Sequence, residues 1–121
     1  MGRVLRVRRI YDPPAAEDGV RILVDRLWPR GVSKATAALH FWARAVAPSP
    51  ELRRWYGHEA ARWEEFQLRY RAELDANPEG VAELLAQMGE AETVTLLFAS
   101  RESRHNSAVV LQAYLQALPA A

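Results

Sequence analysis

The chain has 121 residues, 50% of them hydrophobic and 26% charged, and it contains no cysteine. At roughly 100–200 residues per domain this is material for one domain, 1–121, whose core needs no covalent staples. The missing cysteines exclude disulfide frameworks and thiolate-ligated metal centres. Sixteen Lys and Arg against fifteen Asp and Glu leave a net charge of +1, without the basic excess of a general polyanion binder.

Met1-Gly2-Arg3-Val4-Leu5-Arg6 lacks the apolar run of a secretory leader, and Arg6 stands where a myristoylation signal has Ser or Thr. No apolar stretch approaches the ~18–20 residues that cross a bilayer. The expectation is a cytoplasmic protein with no membrane partner. Charge is uneven: residues 1–34 carry a net +4 and residues 35–100 a net −4. Lys34 is the single lysine, a bias that fits a GC-rich bacterial genome and lowers the weight of any arginine count.

Val4 to Tyr11 alternates Leu5 and Val7 with Arg6 and Arg8, the pattern of a half-exposed strand whose arginines discourage edge pairing. Asp12-Pro13-Pro14 through Gly19 is turn chemistry. Val20-Arg21-Ile22-Leu23-Val24-Asp25 reads as an apolar strand ending in an acid. After Trp28-Pro29-Arg30-Gly31, a cap at Ser33 or Thr36 predicts a helix to about Val46, with His40 a structural residue inside it. Ser49-Pro50-Glu51 starts a short helix that stops at Gly57. Trp63, Phe66, Tyr70 and Leu74 mark one face of a helix over 59–75. Asn77-Pro78 opens another that stops at Gly89. Thr93 to Phe98 is a buried-type strand, and a last helix runs from about Arg104 to Leu118. These elements predict an α/β fold: a small central sheet of about three core strands, mostly parallel or mixed, packed by about five helices. The 11–19 connection is shorter than the dozen residues a parallel crossover usually needs, which leaves an antiparallel first strand open.

Ligands in open α/β sheets bind beyond the carboxyl ends of the strands. Two such ends are polar here: Asp25 to Gly31, and Ser100 to Asn106 with a helix start inside it. Asp25 and His105 are the candidate acid–base groups. Arg26, Trp28, Arg30, Ser100 and Asn106 are the candidate ligand-binding residues, with the arginines as anion clamps and Trp28 as a stacking wall. Each has a plainer reading. Asp25 is also suited to cap a turn, Trp28 to plug the core, and His105 and Asn106 to satisfy a helix start. His58 fits a loop after Gly57. No dinucleotide, P-loop or nucleophile-elbow signature is present, and the three histidines lack metal-ligand spacing. No cofactor and no metal are expected.

The chain resembles the YeaO-like branch of the bacterial family called domain of unknown function 488. The resemblance runs through Arg9-Ile10-Tyr11-Asp12, Asp18-Gly19 and the long Leu23-Val24-Asp25-Arg26-Leu27-Trp28-Pro29-Arg30-Gly31 run. It continues at Pro48 to Arg53, Phe66 to Tyr70, Thr95 to Phe98 and His105 to Leu111. It implies a bacterial protein and transfers no catalytic residue. Relatives often have a second histidine where this chain has Ser107, so His105 and Asn106 stand as the candidates in that block. Three functions remain in competition. The first is a protein or enzyme for a small anionic ligand, phosphate- or nucleotide-like. The second is a nucleic-acid binder using Arg3, Arg6, Arg8 and Arg9, disfavoured by the near-neutral charge. The third is a protein-binding module using Trp55, Tyr56 and Trp63, with the partner undefined.

Overall fold

A computed structural model describes residues 3–119. The reading of Met1-Gly2 lies outside that range. One sheet organises the chain: β1 (Val4–Arg9), β2 (Val20–Leu23), β3 (Phe41–Trp42) and β4 (Thr93–Phe98), in the order β1-β4-β2-β3. All its pairings are parallel. Among the described residues five α-helices accompany it: α1 (Lys34–Ala37), α2 (Pro50–Tyr56), α3 (Trp63–Asp75), α4 (Pro78–Met88) and α5 (Ser107–Gln116). No helix among the described residues is long and apolar enough to cross a membrane.

The first strand is parallel, which resolves the alternative left open by the short connection. β1 and β2 are not neighbours, because β4 lies between them. Residues 10–19 span at most about 36 Å when extended, against about 20 Å for a six-residue strand, so this segment, with a 3₁₀ turn at Ala16–Asp18, makes the return without an α-helix. Gly19 turns the chain into β2 at φ +64°, and a Cβ there would lie 2.1 Å from the Thr93 carbonyl oxygen. Only glycine meets both demands.

Each face of the sheet has its own cover. Leu5, Ile22, Val24, Val94, Leu96 and Phe98 pack under the helices, against Phe66, Tyr70, Leu84 and Leu111. On the opposite face Ile10, Leu23, Ala37 and Leu97 form a smaller cluster with Trp28, Val32, Leu39 and Trp42. That second face also holds a buried charge cluster. Asp18, with no exposed surface, accepts hydrogen bonds from Arg8 and Arg21 at 2.6 Å each and from the Ala15 N–H at 3.0 Å. Arg21 spends its other donors on the Ala37 carbonyl.

The helix expected over 33–46 is the main correction. Ser33 does cap a helix, accepting from the Thr36 N–H, but it lasts one turn and ends at Ala38 in the left-handed region. Phe41-Trp42 then pairs with the open edge of β2. His40 seals that junction: its N–H donates to the Arg21 carbonyl at 2.8 Å, and its Nδ1 accepts from the Arg21 N–H at 3.0 Å. Tertiary pairing overrides local helix preference here. Elsewhere the boundaries shift by less. A 3₁₀ turn over Ala60–Arg62 precedes α3, and α5 starts at Ser107 because Asn106 is its cap.

Candidate functional site

β2 and β4 are adjacent and parallel, so their carboxyl ends open on the same side. The Asp25 Oδ2 accepts from the Ala99 N–H at 2.9 Å, which joins the two ends directly. Beyond them lies a cavity of about 880 Å³, closed on the far side by α2 and the start of α5. Asp25, Arg53, Arg54, Tyr56, His58, Phe66, Phe98, Arg101, Glu102 and His105 are among its lining residues.

Asp25, Arg26, Ser100, His105 and Asn106 therefore come together, as the parallel-neighbour reading requires. Trp28 and Arg30 do not join them. The loop after β2 turns towards the opposite face, where Trp28 packs edge-on against Trp42 at 5.3 Å and donates to the Val32 carbonyl at 2.6 Å. Arg30 is exposed, and its carbonyl accepts from the Tyr11 hydroxyl. Arg26 does reach the cavity wall, but its guanidinium is held 3.2–3.4 Å from the carbonyls of Ala47 and Pro48.

The 99–106 loop is largely self-satisfied. Ser100 Oγ accepts from the Glu102 N–H. Asn106 caps α5 by accepting from the Val109 N–H at 3.0 Å, and its Nδ2 donates to the Glu102 carbonyl at 2.8 Å. The Glu102 carboxylate accepts from the N–H groups of Arg104 and His105, and these bonds hold its carboxyl below the ordinary range. The His105 ring stacks on Trp63, centroids 4.7 Å apart and planes 24° apart. Burial pushes the Asp25 carboxyl above its ordinary 3.8, against the opposing pulls of the Ala99 N–H and the Arg53 charge.

Arg53, Arg54 and Arg101 are the residues that distinguish this cavity. Their guanidinium groups make no hydrogen bond and no ion pair among the described residues, and all three line it. Arg53 and Arg54 ride on α2, whose start is set by Ser49, Pro50 and the Leu52 N–H bonded to Ser49 Oγ. The sequence reading passed over them because arginine is abundant throughout. The available signal was their place on a strongly capped helix, with Arg53 at the end of the Pro48 to Arg53 block.

The arginines of the nucleic-acid reading have the opposite fate. Arg3 bonds the Gly89 carbonyl, Arg6 the Glu17 carbonyl, Arg8 the Asp18 carboxylate, and Arg9 the carbonyls of Ala99 and Ser100. The aromatics of the protein-binding reading are also engaged. Tyr56 is buried, and the Trp55 ring is in contact with the guanidinium groups of Arg62 and Arg69. Among the described residues no group of three or more His, Asp or Glu could hold a metal ion.

Residues 4–120 match a family model described as the inactive DUF488-N3 subclade. The chain is 40% identical to the uncharacterized protein YeaO of Escherichia coli K12 over 114 residues, covering 94% of this chain and 98% of that one. It is 41% identical to the uncharacterized protein Rv3073c of Mycobacterium tuberculosis H37Rv over 107 residues, 88% of this chain and 89% of the relative. No solved structure gives a significant match. With nearly its whole described length matched, the chain belongs to the DUF488 family, in the subclade described as inactive DUF488-N3.

Proposed function

We propose that the cavity binds a small anionic ligand and holds it without turnover. The observation that carries this reading is the contrast among the arginines. Eight of them, Arg3, Arg6, Arg8, Arg9, Arg21, Arg26, Arg62 and Arg69, are bonded to protein acceptors, and the unbonded Arg30, Arg44, Arg71 and Arg104 lie outside the cavity lining. Arg53, Arg54 and Arg101 are left unbonded around one concave space. Guanidinium forks suit phosphate and carboxylate, and the amino end of α5 adds about half a positive charge at the same wall.

Binding without turnover is supported from two directions. Asn106 and Ser100 are occupied as cap and turn acceptors, and His105 lies flat on Trp63. The description of the family model as inactive agrees with that picture. The internal bonding of Arg3, Arg6, Arg8 and Arg9 argues against the nucleic-acid alternative.

Calorimetric titration with inorganic phosphate and a mononucleotide tests the reading. Wild type should bind at least one of them with a Kd below ~10 mM, about −2.7 kcal/mol. Replacing Arg53 and Arg54 together by Ala should weaken binding at least about tenfold, or 1.4 kcal/mol. Arg30→Ala, outside the cavity, should bind like wild type. No saturable heat with either ligand, or equal binding by the Arg53/Arg54 double variant, defeats the reading.

A further inference from the structure

Asp25 and Glu102 are the two carboxylates of a cavity walled by unbonded arginines; Glu102 is exposed on the loop before α5, whereas Asp25 is half-buried at the strand ends. A carboxylate there repels the anions that the arginines attract. Half of the Asp25 carboxylate has a structural role, accepting the Ala99 N–H where the two strand ends meet. Its Oδ2 is fixed by that bond at 2.9 Å, which sets the plane of the carboxyl group. Its Oδ1 makes no hydrogen bond, yet no side-chain oxygen or nitrogen among the described residues is both sealed from solvent and unpartnered. The free oxygen is therefore accessible, in a residue that lines the cavity. Arg53 is near enough for its charge to act on the carboxyl, but the two form no ion pair.

An ionised carboxylate is an acceptor only. Beside a bound oxyanion it is repulsive unless that anion supplies an O–H. We propose that Asp25 makes the site selective for an oxyanion that still carries a proton, hydrogen phosphate, over fully ionised oxyanions of the same shape. The proposal rests on the reading of the cavity as an anion site. In the bound arrangement the phosphate O–H donates to Asp25 Oδ1, while its ionised oxygens face the guanidinium groups. Repulsion against Asp25 rejects the competitor, so discrimination comes from an unfavourable contact as well as a favourable one. The contact lies at the Asp25 end of the cavity. The remaining volume, far larger than one oxyanion, is open to solvent.

Three probes at about pH 8 separate the contributions. Phosphate and sulfate are then both tetrahedral dianions of similar size, and phosphate alone has an O–H. Methyl phosphate keeps the phosphorus chemistry, but its last proton leaves near pH 6. Wild type should bind phosphate at least about tenfold more tightly than sulfate or methyl phosphate, a gap of 1.4 kcal/mol or more. In Asp25→Asn the amide offers a donor as well as an acceptor, so the three affinities should converge, chiefly through a gain for sulfate. Equal binding of phosphate and sulfate by wild type overturns the selectivity while leaving the anion site standing. Phosphate preference retained in Asp25→Asn overturns it as well. Binding of none of the three probes overturns the selectivity, and if the mononucleotide also fails to bind, the anion-site reading itself falls. Should Asp25→Asn fail to fold, the wild-type comparison of the three anions still decides the proposal.

Discussion

Arginine carries five N–H donors in a rigid fork, so what each one does depends on the acceptors within its reach. Arg26 was read as a clamp for a ligand and instead clamps the carbonyls of Ala47 and Pro48, which positions the segment leading to α2. Arg30, read the same way, lies outside the cavity on an exposed turn. Arg30→Ala should therefore leave the melting temperature nearly unchanged, as expected away from packed features. Phe66 is the contrasting residue, 3% exposed and stacked near Tyr56 at 4.6 Å. Truncating it to Ala should cost ~3–5 kcal/mol in denaturant unfolding. It also forms part of the cavity wall, so the variant should lose ligand affinity together with stability. A Phe66→Ala protein of wild-type stability would show that this wall is not part of the core.

At the scale of elements, the connection between β1 and β2 is held by charge more than by apolar packing. Burial alone would raise the Asp18 carboxyl. The bonds from Ala15, Arg8 and Arg21 outweigh burial and leave it below its ordinary 3.8. A carboxyl lowered by folding contributes stability that is complete above the unfolded value. That contribution is lost as pH falls from about 3.8 through the lower folded value. Melting temperatures between about pH 2 and pH 6 should thus fall on the acid side, and Asp18→Asn should flatten that limb. At neutral pH the same substitution leaves Arg8 and Arg21 without their charge partner and should cost about 3–5 kcal/mol. An acid limb of unchanged slope in Asp18→Asn would assign acid sensitivity to other carboxylates. Gly19→Ala, which places a methyl group against the Thr93 backbone, should be at least as damaging as the loss of the Asp18 charge.

For the whole molecule, the order β1-β4-β2-β3 puts β4 at the centre, bonded on both edges, and leaves β3 as a two-residue edge. Opening β4 requires breaking both the helix-covered face and the charged face. Its amides from Val94 to Phe98 should exchange with solvent only through global unfolding, whereas those at the β3 edge should exchange through local opening. Hydrogen exchange measured by NMR checks this directly. Fast exchange in β4 would show that the two faces are not one cooperative unit. The same central position explains the site, since the carboxyl ends of β4 and β2 meet where Asp25 bonds Ala99.

Local patterns along the chain suffice for the α/β class, the strands near 4–9, 20–23 and 93–98, and the starts of α2 and α4, whereas α5 begins at Ser107 and not near Arg104. Each of these depends on local information: alternation or runs of apolar residues, a capping Ser or Asn, a proline in the first turn. The sequence also marked the Asp25 and Ser100–Asn106 ends as one site, because parallel neighbours bring their carboxyl ends together. Only the tertiary structure decided that β4 separates β1 from β2, and that Phe41-Trp42 leaves the helix to pair with β2. The same holds for the arginines. Arg6, Arg8 and Arg9 read as solvent-facing, yet Asp18 and four backbone carbonyls bind them. Arg53 and Arg54 looked like background and, with Arg101, are the unbonded arginines that line the cavity. Whether a guanidinium is free for a ligand depends on which acceptors distant segments bring to it, and no local pattern of residues contains that information.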